Sequence, residues 1–247
     1  MQALTSRVPA WALIAGAELR MLTRSVPTVA MAVVLPMALG LLIVWAEHDT
    51  GKAGRATAVG LQLTMLLTLT TYAAGTTILV SRRGQSVLKR LRCSGASDAA
   101  VLTGVLLPSA LLMVLQAVVV LAAGRTSLPG NAWAPIAAVV GGALVAGLFA
   151  VLTSAWTSAP ELTQLTIAPL ALAFAGGALW AARTPAAEVA WWMLVLPGVP
   201  VTQLTRLGWQ EPAVTTADGL AAVAALLIVA AVVAPLAAHT MRWDPRP

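Results

Sequence analysis

The sequence predicts an all-α integral membrane protein: an N-terminal amphipathic interfacial helix, six transmembrane helices, and a re-entrant helical hairpin between the fifth and sixth. Three observations carry this. Of the 247 residues, 59% are hydrophobic and only 10% charged, where a soluble domain carries about 25% charged residues. Mean hydropathy is +0.87. The apolar residues come in unbroken blocks of about 20, enough to cross hydrocarbon as a helix, and not in the alternating pattern of a membrane barrel.

Residues 10–24 (AWALIAGAELRMLTR) read as a helix lying in the interface. At helical spacing Gly16, Arg20, Thr23 and Arg24 share one face, with Trp11, Ile14, Ala15 and Leu22 opposite. Glu18 falls on the apolar side, where it either snorkels to water or forms a salt bridge inside the protein. The six spans are placed at residues 27–46, 57–80, 99–123, 133–157, 162–182 and 218–239. Pro27 suits a first helical turn, Pro36 should kink the first span, and Pro169 should break the fifth. Gly176 and Gly177 should loosen the fifth span's outer end, and Gly141, Gly142 and Gly147 in the fourth allow close helix contact. Residues 190–199 are apolar but too short to cross, and the run ends in Pro-Gly-Val-Pro (197–200). Residues 190–210 are therefore expected to re-enter on one side, with Trp191, Trp192 and Trp209 at the interface.

Charge placement sets the topology. Alternate segments hold Arg7, Arg20, Arg24, Arg82, Arg83, Lys89, Arg90, Arg92, Arg242 and Arg246, ten of the 15 basic residues; Lys52, Arg55, Arg125, Arg183 and Arg206 fall on the other side. The positive-inside rule then puts both termini in the cytoplasm and residues 190–210 outside. The formal net charge of +6 is spent on topology, and no basic stripe with interleaved aromatics points to nucleic acid. After Arg7 the apolar run is interrupted by Glu18 and Arg20, so no cleavable signal is expected and the first span serves as the insertion signal. Lysine is scarce and alanine abundant, a bias that resembles high-GC bacterial proteins. The single Cys93 cannot form an internal disulfide and reads as a small loop residue.

Several chemistries lack their residues. No G-x-x-x-x-G-K-[ST] loop is present to hold a nucleotide. His48 and His239 fall at opposite membrane faces, too few for a metal site or an intramembrane Ser–His pair. Charges are nearly excluded from the spans, each costing roughly 2.5–3.5 kcal/mol at mid-membrane. Glu161, at the cytoplasmic start of the fifth span, is the nearest candidate for ion coupling.

Two patterns remain. In the second span Thr64, Thr68, Thr71 and Gly75 recur on one face with Tyr72 beside them, a pattern equally suited to helix packing and to lining a path. Gln164 and Thr166 add polarity early in the fifth span, so a lightly polar, apolar-walled path fits an amphipathic cargo. The basic segment 81–98 contains a short helical pattern, with Val87, Leu88 and Leu91 on one side and Arg83, Lys89, Arg90 and Arg92 around them. Beyond fixing topology, such a helix suits docking into a partner's groove.

The order of these parts resembles the membrane subunit, or permease, of ABC-2 type transporters. E-L-R-M-L-T-R-S-V-P (residues 18–27), with Pro36 following, is similar to the family's connecting helix and first span. R-R-G-Q-S-V-L-K-R-L-R-C-S-G-A-S (residues 82–97) resembles its coupling helix through Gly84, Leu88, Leu91, Ser94 and Ser97. T-S-A-P-E-L-T-Q (157–164) and L-P-G-V-P-V-T-Q-L-T-R (196–206) resemble its fifth span and outer re-entrant region, and the R-W-D-P-R tail is similar to actinobacterial members. Where members often carry an acidic residue before the coupling glycine, this sequence has Arg82 and Arg83, which leaves the polarity of the partner's groove open.

The resemblance implies one transmembrane permease domain over residues 1–247 in a bacterial cytoplasmic membrane. The chain would bind no cofactor; ATP and Mg would sit on a separate ABC ATPase, present in two copies, docking on residues 83–97. The implied coupling residues are Arg83, Gly84, Gln85, Leu88, Leu91 and Arg92. The cargo path would use Thr64, Thr68, Thr71, Tyr72, Gln164 and Thr166, with Glu18 and Glu161 structural or salt-bridging. A second permease copy would complete an efflux path for a drug, lipid or lipid-linked glycan. An ATP-independent carrier or channel, and a membrane scaffold subunit, are the alternative classes.

Overall fold

The computed structural model describes residues 8–24, 33–46, 52–123 and 128–244, and every regular element among them is helical. Helix α1 (Ala10–Arg24) is followed by α2 (Leu35–Ala46). A long rod then runs from α3 (Lys52–Leu66) through a π-helical segment (Leu67–Ala73) into α4 (Ala74–Gly84). Next come the short α5 (Val87–Cys93), then α6 (Asp98–Ala123), α7 (Trp133–Trp156) and α8 (Thr163–Arg183). The chain finishes with α9 (Val199–Gly208) and α10 (Thr216–Thr240).

Among the described residues five helices are long and apolar enough to cross a membrane: Gly54–Gly84, Asp98–Ala122, Trp133–Trp156, Pro160–Arg183 and Thr216–Thr240. They coincide with the second to sixth expected spans. The first expected span is described only from residue 33. Pro27 and residues 25–32, Arg7, His48, Arg125 and Arg246 lie outside the described residues, as do the side chains of Leu22, Thr23, Arg24 and Lys52.

One proline expectation changes. Pro36 lies one residue into α2, directly after π-helical residues 33–34. Pro169 lies inside α8, which continues unbroken to Arg183. Prolines are tolerated in membrane helices because neighbouring groups satisfy the freed carbonyl. The glycine pair does not loosen the far end of α8 either. A Cβ on Gly177 would collide with the Pro197 carbonyl oxygen, so this glycine admits a neighbouring backbone. In α7, Gly141 and Gly142 meet Leu226 and Leu67, whereas the nearest atom to a Cβ on Gly147 would be 3.9 Å away.

The main apolar core joins α3, the π segment, α7, α8, α9 and α10 around Leu66, Leu67, Tyr72, Phe174 and Leu204. A smaller cluster at one end of the bundle holds Ile14, Leu79, Leu88, Val101, Val105, Val151, Ala237 and Met241. There α1 lies against α6, so closely that a Cβ on Gly104 would sit 2.7 Å from Ile14 Cβ and 2.8 Å from the Trp11 carbonyl oxygen.

At the opposite end, residues 186–208 form a packed hairpin. Turns of 3-10 helix at Ala186–Glu188 and Trp191–Val195 lead to Gly198, whose φ of 94° turns the chain into α9. A side chain on Gly198 would meet the Phe174 carbonyl oxygen at 2.5 Å, so the turn is lodged against the middle of α8. All ten residues of α9 are buried, and Asn131 N donates to Gly208 O at 3.1 Å, returning its end to the start of α7.

Candidate coupling surface and polar interior

At the end of the bundle carrying α1 and α5, two adjacent arginines divide their work. Arg82 makes a bidentate pair with Glu18, its Nε and Nη2 donating to the two carboxylate oxygens at 2.8 Å each. Glu18 is 4% exposed, one helical turn beyond Ile14 on the face of α1 that meets the bundle. The pair therefore ties α1 to the end of α4. Arg83 is 2% exposed and points the other way. Its Nη1 donates to Ser154 O at 2.7 Å and its Nη2 to Thr157 O. Those carbonyls belong to the last turn and cap of α7, where a helix has no backbone donors left and its dipole favours a cation.

This revises the surface expected from the sequence. Arg83 and Leu88, both expected to face a partner, are buried within the chain, and Leu91 packs on the smaller core. The apolar side of α5 is thus used by the protein itself. Gly84 closes α4, and the turn through Gln85 and Ser86, the latter at φ 58°, starts α5. The exposed side presents Gly84, Gln85, Lys89, Arg90 and Arg92. Gln85 Oε1 accepts from Arg82 at 3.2 Å. The C-terminal segment folds back onto this side: Lys89 pairs with Asp244 at 2.6 Å, and Arg92 lies 5.1 Å from the Trp243 ring centroid while pairing with Asp98 at 3.0 Å. The Asp244 carboxylate pushes the Lys89 ammonium above its usual pKa.

The hydroxyl row of the second span faces inward. Thr64, Thr68, Thr71 and Tyr72 are all buried. Thr64 and Thr68 donate to the carbonyls of Gly60 and Thr64 at 2.9 and 2.7 Å, each four residues back. In this structure the row is buried within the chain and two of its hydroxyls bond to their own helix, the arrangement of helix packing. Tyr72 Oη lies 3.2 Å from Thr153 Oγ1 and donates to Ile167 O at 3.3 Å, while Thr157 and Thr166 share a hydroxyl bond of 2.8 Å. Tyr72 and Thr166 therefore belong to one polar seam joining the π segment, α7 and α8, which continues to Arg83. Glu161 and Gln164 are exposed and stand apart from it.

Other buried polar residues carry weight that the sequence reading did not assign. Gln62 donates to Gly40 O at 2.9 Å, linking α3 to α2, and Thr70 donates to Gln116 Oε1 at 2.7 Å, linking the π segment to α6. Arg206, counted only for topology, is 3% exposed at the far end of α9. Single amides in apolar spans were the available signal for the first two. Gln203 three residues before Arg206 was the signal for the last.

Five helices long and apolar enough to cross a membrane among the described residues mark a multi-pass membrane protein. The family model for ABC-2 family transporter protein matches residues 27–238, and the chain belongs to that family. It is the membrane component of an ABC transporter, which associates with an ABC ATPase and is not itself the catalytic part. No curated protein matches the chain.

Proposed function

We propose that the chain is the membrane-spanning half of an ATP-driven exporter, moving an amphipathic or hydrophobic cargo by alternating access. Two copies enclose the path, and an ATPase docks on each α5. The ten basic residues of one set of segments support a cytoplasmic α1–α5 end and cytoplasmic termini, in the plasma membrane of a bacterium. On that orientation residues 186–208 are a re-entrant hairpin opening outward, and residues 27–46 complete a sixth span.

The observation that carries this reading is the anchoring of α5. Its neighbouring arginines grip α1 through Glu18 and α7 through Ser154 and Thr157. Force applied to the exposed side of α5 then reaches the interfacial helix and the α7–α8 turn together, instead of being absorbed by a loose loop. The docking residues are Gly84, Gln85, Lys89, Arg90 and Arg92, with Arg83, Leu88 and Leu91 holding the helix in place from behind. Bound ATP closes the ATPase pair, α5 follows, and the spans re-orient. Gln164, exposed on α8, and the half-exposed Thr166 are residues of the expected path open to cargo.

Mild-detergent purification of the tagged chain from its host tests this. A stoichiometric ATPase, lost when Arg90 and Arg92 are both changed to Glu, is the expected result. A chain that repeatedly arrives without a nucleotide-binding partner, after crosslinking in intact membranes, returns the choice to a carrier or scaffold.

A further inference from the structure

At the end of the bundle opposite α5 a cavity of about 550 Å³ opens between the start of α3, the end of α8 and the end of α9. Its wall is divided. Leu61, Leu179 and Ala182 form one side, and Thr57, Arg183, Thr184, Arg206 and Glu211 the other. That volume and mixed lining are those of a small-ligand site.

The polar side has unused capacity. Arg206 is buried, yet each of its contacts is long: Nε to Thr57 Oγ1 at 3.2 Å, Nη1 to Gln203 Oε1 at 3.3 Å, Nη2 to Thr184 O at 3.2 Å, and Nε to Glu211 Oε2 at 3.4 Å. Charge-assisted bonds usually close to about 2.7–2.9 Å, as the Arg82–Glu18 pair does at 2.8 Å. Glu211 Oε2 is ion-paired with Arg206 at 3.4 Å but makes no hydrogen bond, so it keeps capacity to accept from a donor that arrives. Arg183 stands exposed at the rim. Two guanidiniums and one carboxylate leave the lining net positive.

Depth supplies the other half of the argument. Arg183 ends one crossing helix and Thr57 lies three residues into another, so the cavity sits at headgroup level. Beside it Trp180 and Trp192 are partly exposed, with ring centroids 5.3 Å apart, as indoles at a membrane interface are.

We infer that this cavity binds the head of a phospholipid-like amphiphile, a phosphate that also carries a hydroxyl group. Arg183 and Arg206 take the phosphate oxygens, Glu211 Oε2 accepts the hydroxyl hydrogen, and the Leu61–Leu179 wall covers the first carbons of the chain. Binding itself needs no ATPase; that such a molecule is the departing cargo rests on the exporter reading.

The test uses the full chain, purified alone in a neutral detergent, with short-chain phosphatidylglycerol as probe and tryptophan fluorescence or native mass spectrometry as readout. Saturable binding is expected, weakened about tenfold by Arg183→Gln, the loss of one charge-assisted contact, and unchanged by Arg242→Gln at the other end of the bundle. The analogue with a methyl-phosphate head, lacking the hydroxyls, should bind more weakly, and Glu211→Met, which has no oxygen to accept the hydroxyl hydrogen, should erase that difference. Equal binding of the phosphate-free diacylglycerol, equal binding of glycerol 3-phosphate, or an equal loss in Arg242→Gln overturns the inference. Because no ATPase is present, failure here leaves the exporter reading standing, and failure to recover an ATPase leaves this site standing.

Discussion

Arg83 reaches from the last turn of α4 to the carbonyl oxygen of Ser154, 2.7 Å away across 71 residues of sequence, and caps α7 together with its contact to Thr157. Replacing it with Met leaves both carbonyls buried without that donor and removes the cation from the negative end of a helix. A loss of about 3 kcal/mol is expected, seen as a lowered melting temperature and reduced yield in detergent. Lysine, with a compact charge in place of a planar fork, should recover only part of it. A wild-type melting temperature for Arg83→Met would mean that α7 does not depend on this cap.

The Glu18–Arg82 pair makes a different prediction, because it joins α1 to the rod and not one crossing helix to another. Each partner alone leaves a charge in a largely dry contact, so Glu18→Gln and Arg82→Gln should each destabilise by about 2 kcal/mol. The double variant should cost clearly less than the sum. In assembled transporter, either single change should weaken the link between ATP hydrolysis and transport more than it weakens ATPase binding. Additive losses in the cycle would show that the two side chains act independently.

What the sequence made legible, and what it did not, follows from this pair of arginines. Long apolar runs are decisive for a membrane helix, because nothing else about a run of about 20 such residues needs to be known, and five crossings fell where expected. Periodicity within a run says which residues share a face but not what covers that face. Thr64, Thr68 and Thr71 have the same spacing whether they line a path or pack, and Leu88 and Leu91 whether they meet a partner or their own core. Arg82 and Arg83 are neighbours of one chemistry, and their opposite destinations depend on Glu18 and Ser154, which no local pattern connects to them. Pro169 was misread by a rule learned in water, where the freed carbonyl has cheaper alternatives than a continued helix.

The tail contact over α5 should be weak and switchable. Lys89 and Asp244 are both exposed, so their attraction is screened by salt. The Asp244 carboxylate raises the Lys89 pKa. The pair therefore contributes fully below the ordinary lysine pKa and is lost as pH rises through the raised value. Asp244→Asn should leave the melting temperature unchanged while speeding trypsin cleavage after Lys89 and Arg90, and high salt should do the same to the wild type. Unchanged cleavage in both conditions would place the tail elsewhere in solution.

The seating of the hairpin rests on Gly60. A Cβ there would stand 2.6 Å from Thr205 Oγ1 and 2.9 Å from Thr202 Cα, and the second contact is backbone that cannot rotate away. Thr202 and Thr205 are themselves bonded to carbonyls of the hairpin at 3.0 and 2.8 Å, so α9 would have to move as a unit. Gly60→Ala should therefore cost about 1–3 kcal/mol by overpacking, although alanine is the better helix former by about 1 kcal/mol. Gly147→Ala is the control: its nearest neighbour would be Leu106 Cδ1 at 3.9 Å, so only the helix preference remains and the melting temperature should hold or rise. The difference between the two substitutions, measured on the same purified chain, isolates the close approach of α3 to α9. Equal tolerance of both would mean that α9 is not seated against α3, and the cavity bounded by Thr57 and Arg206 would lose its wall.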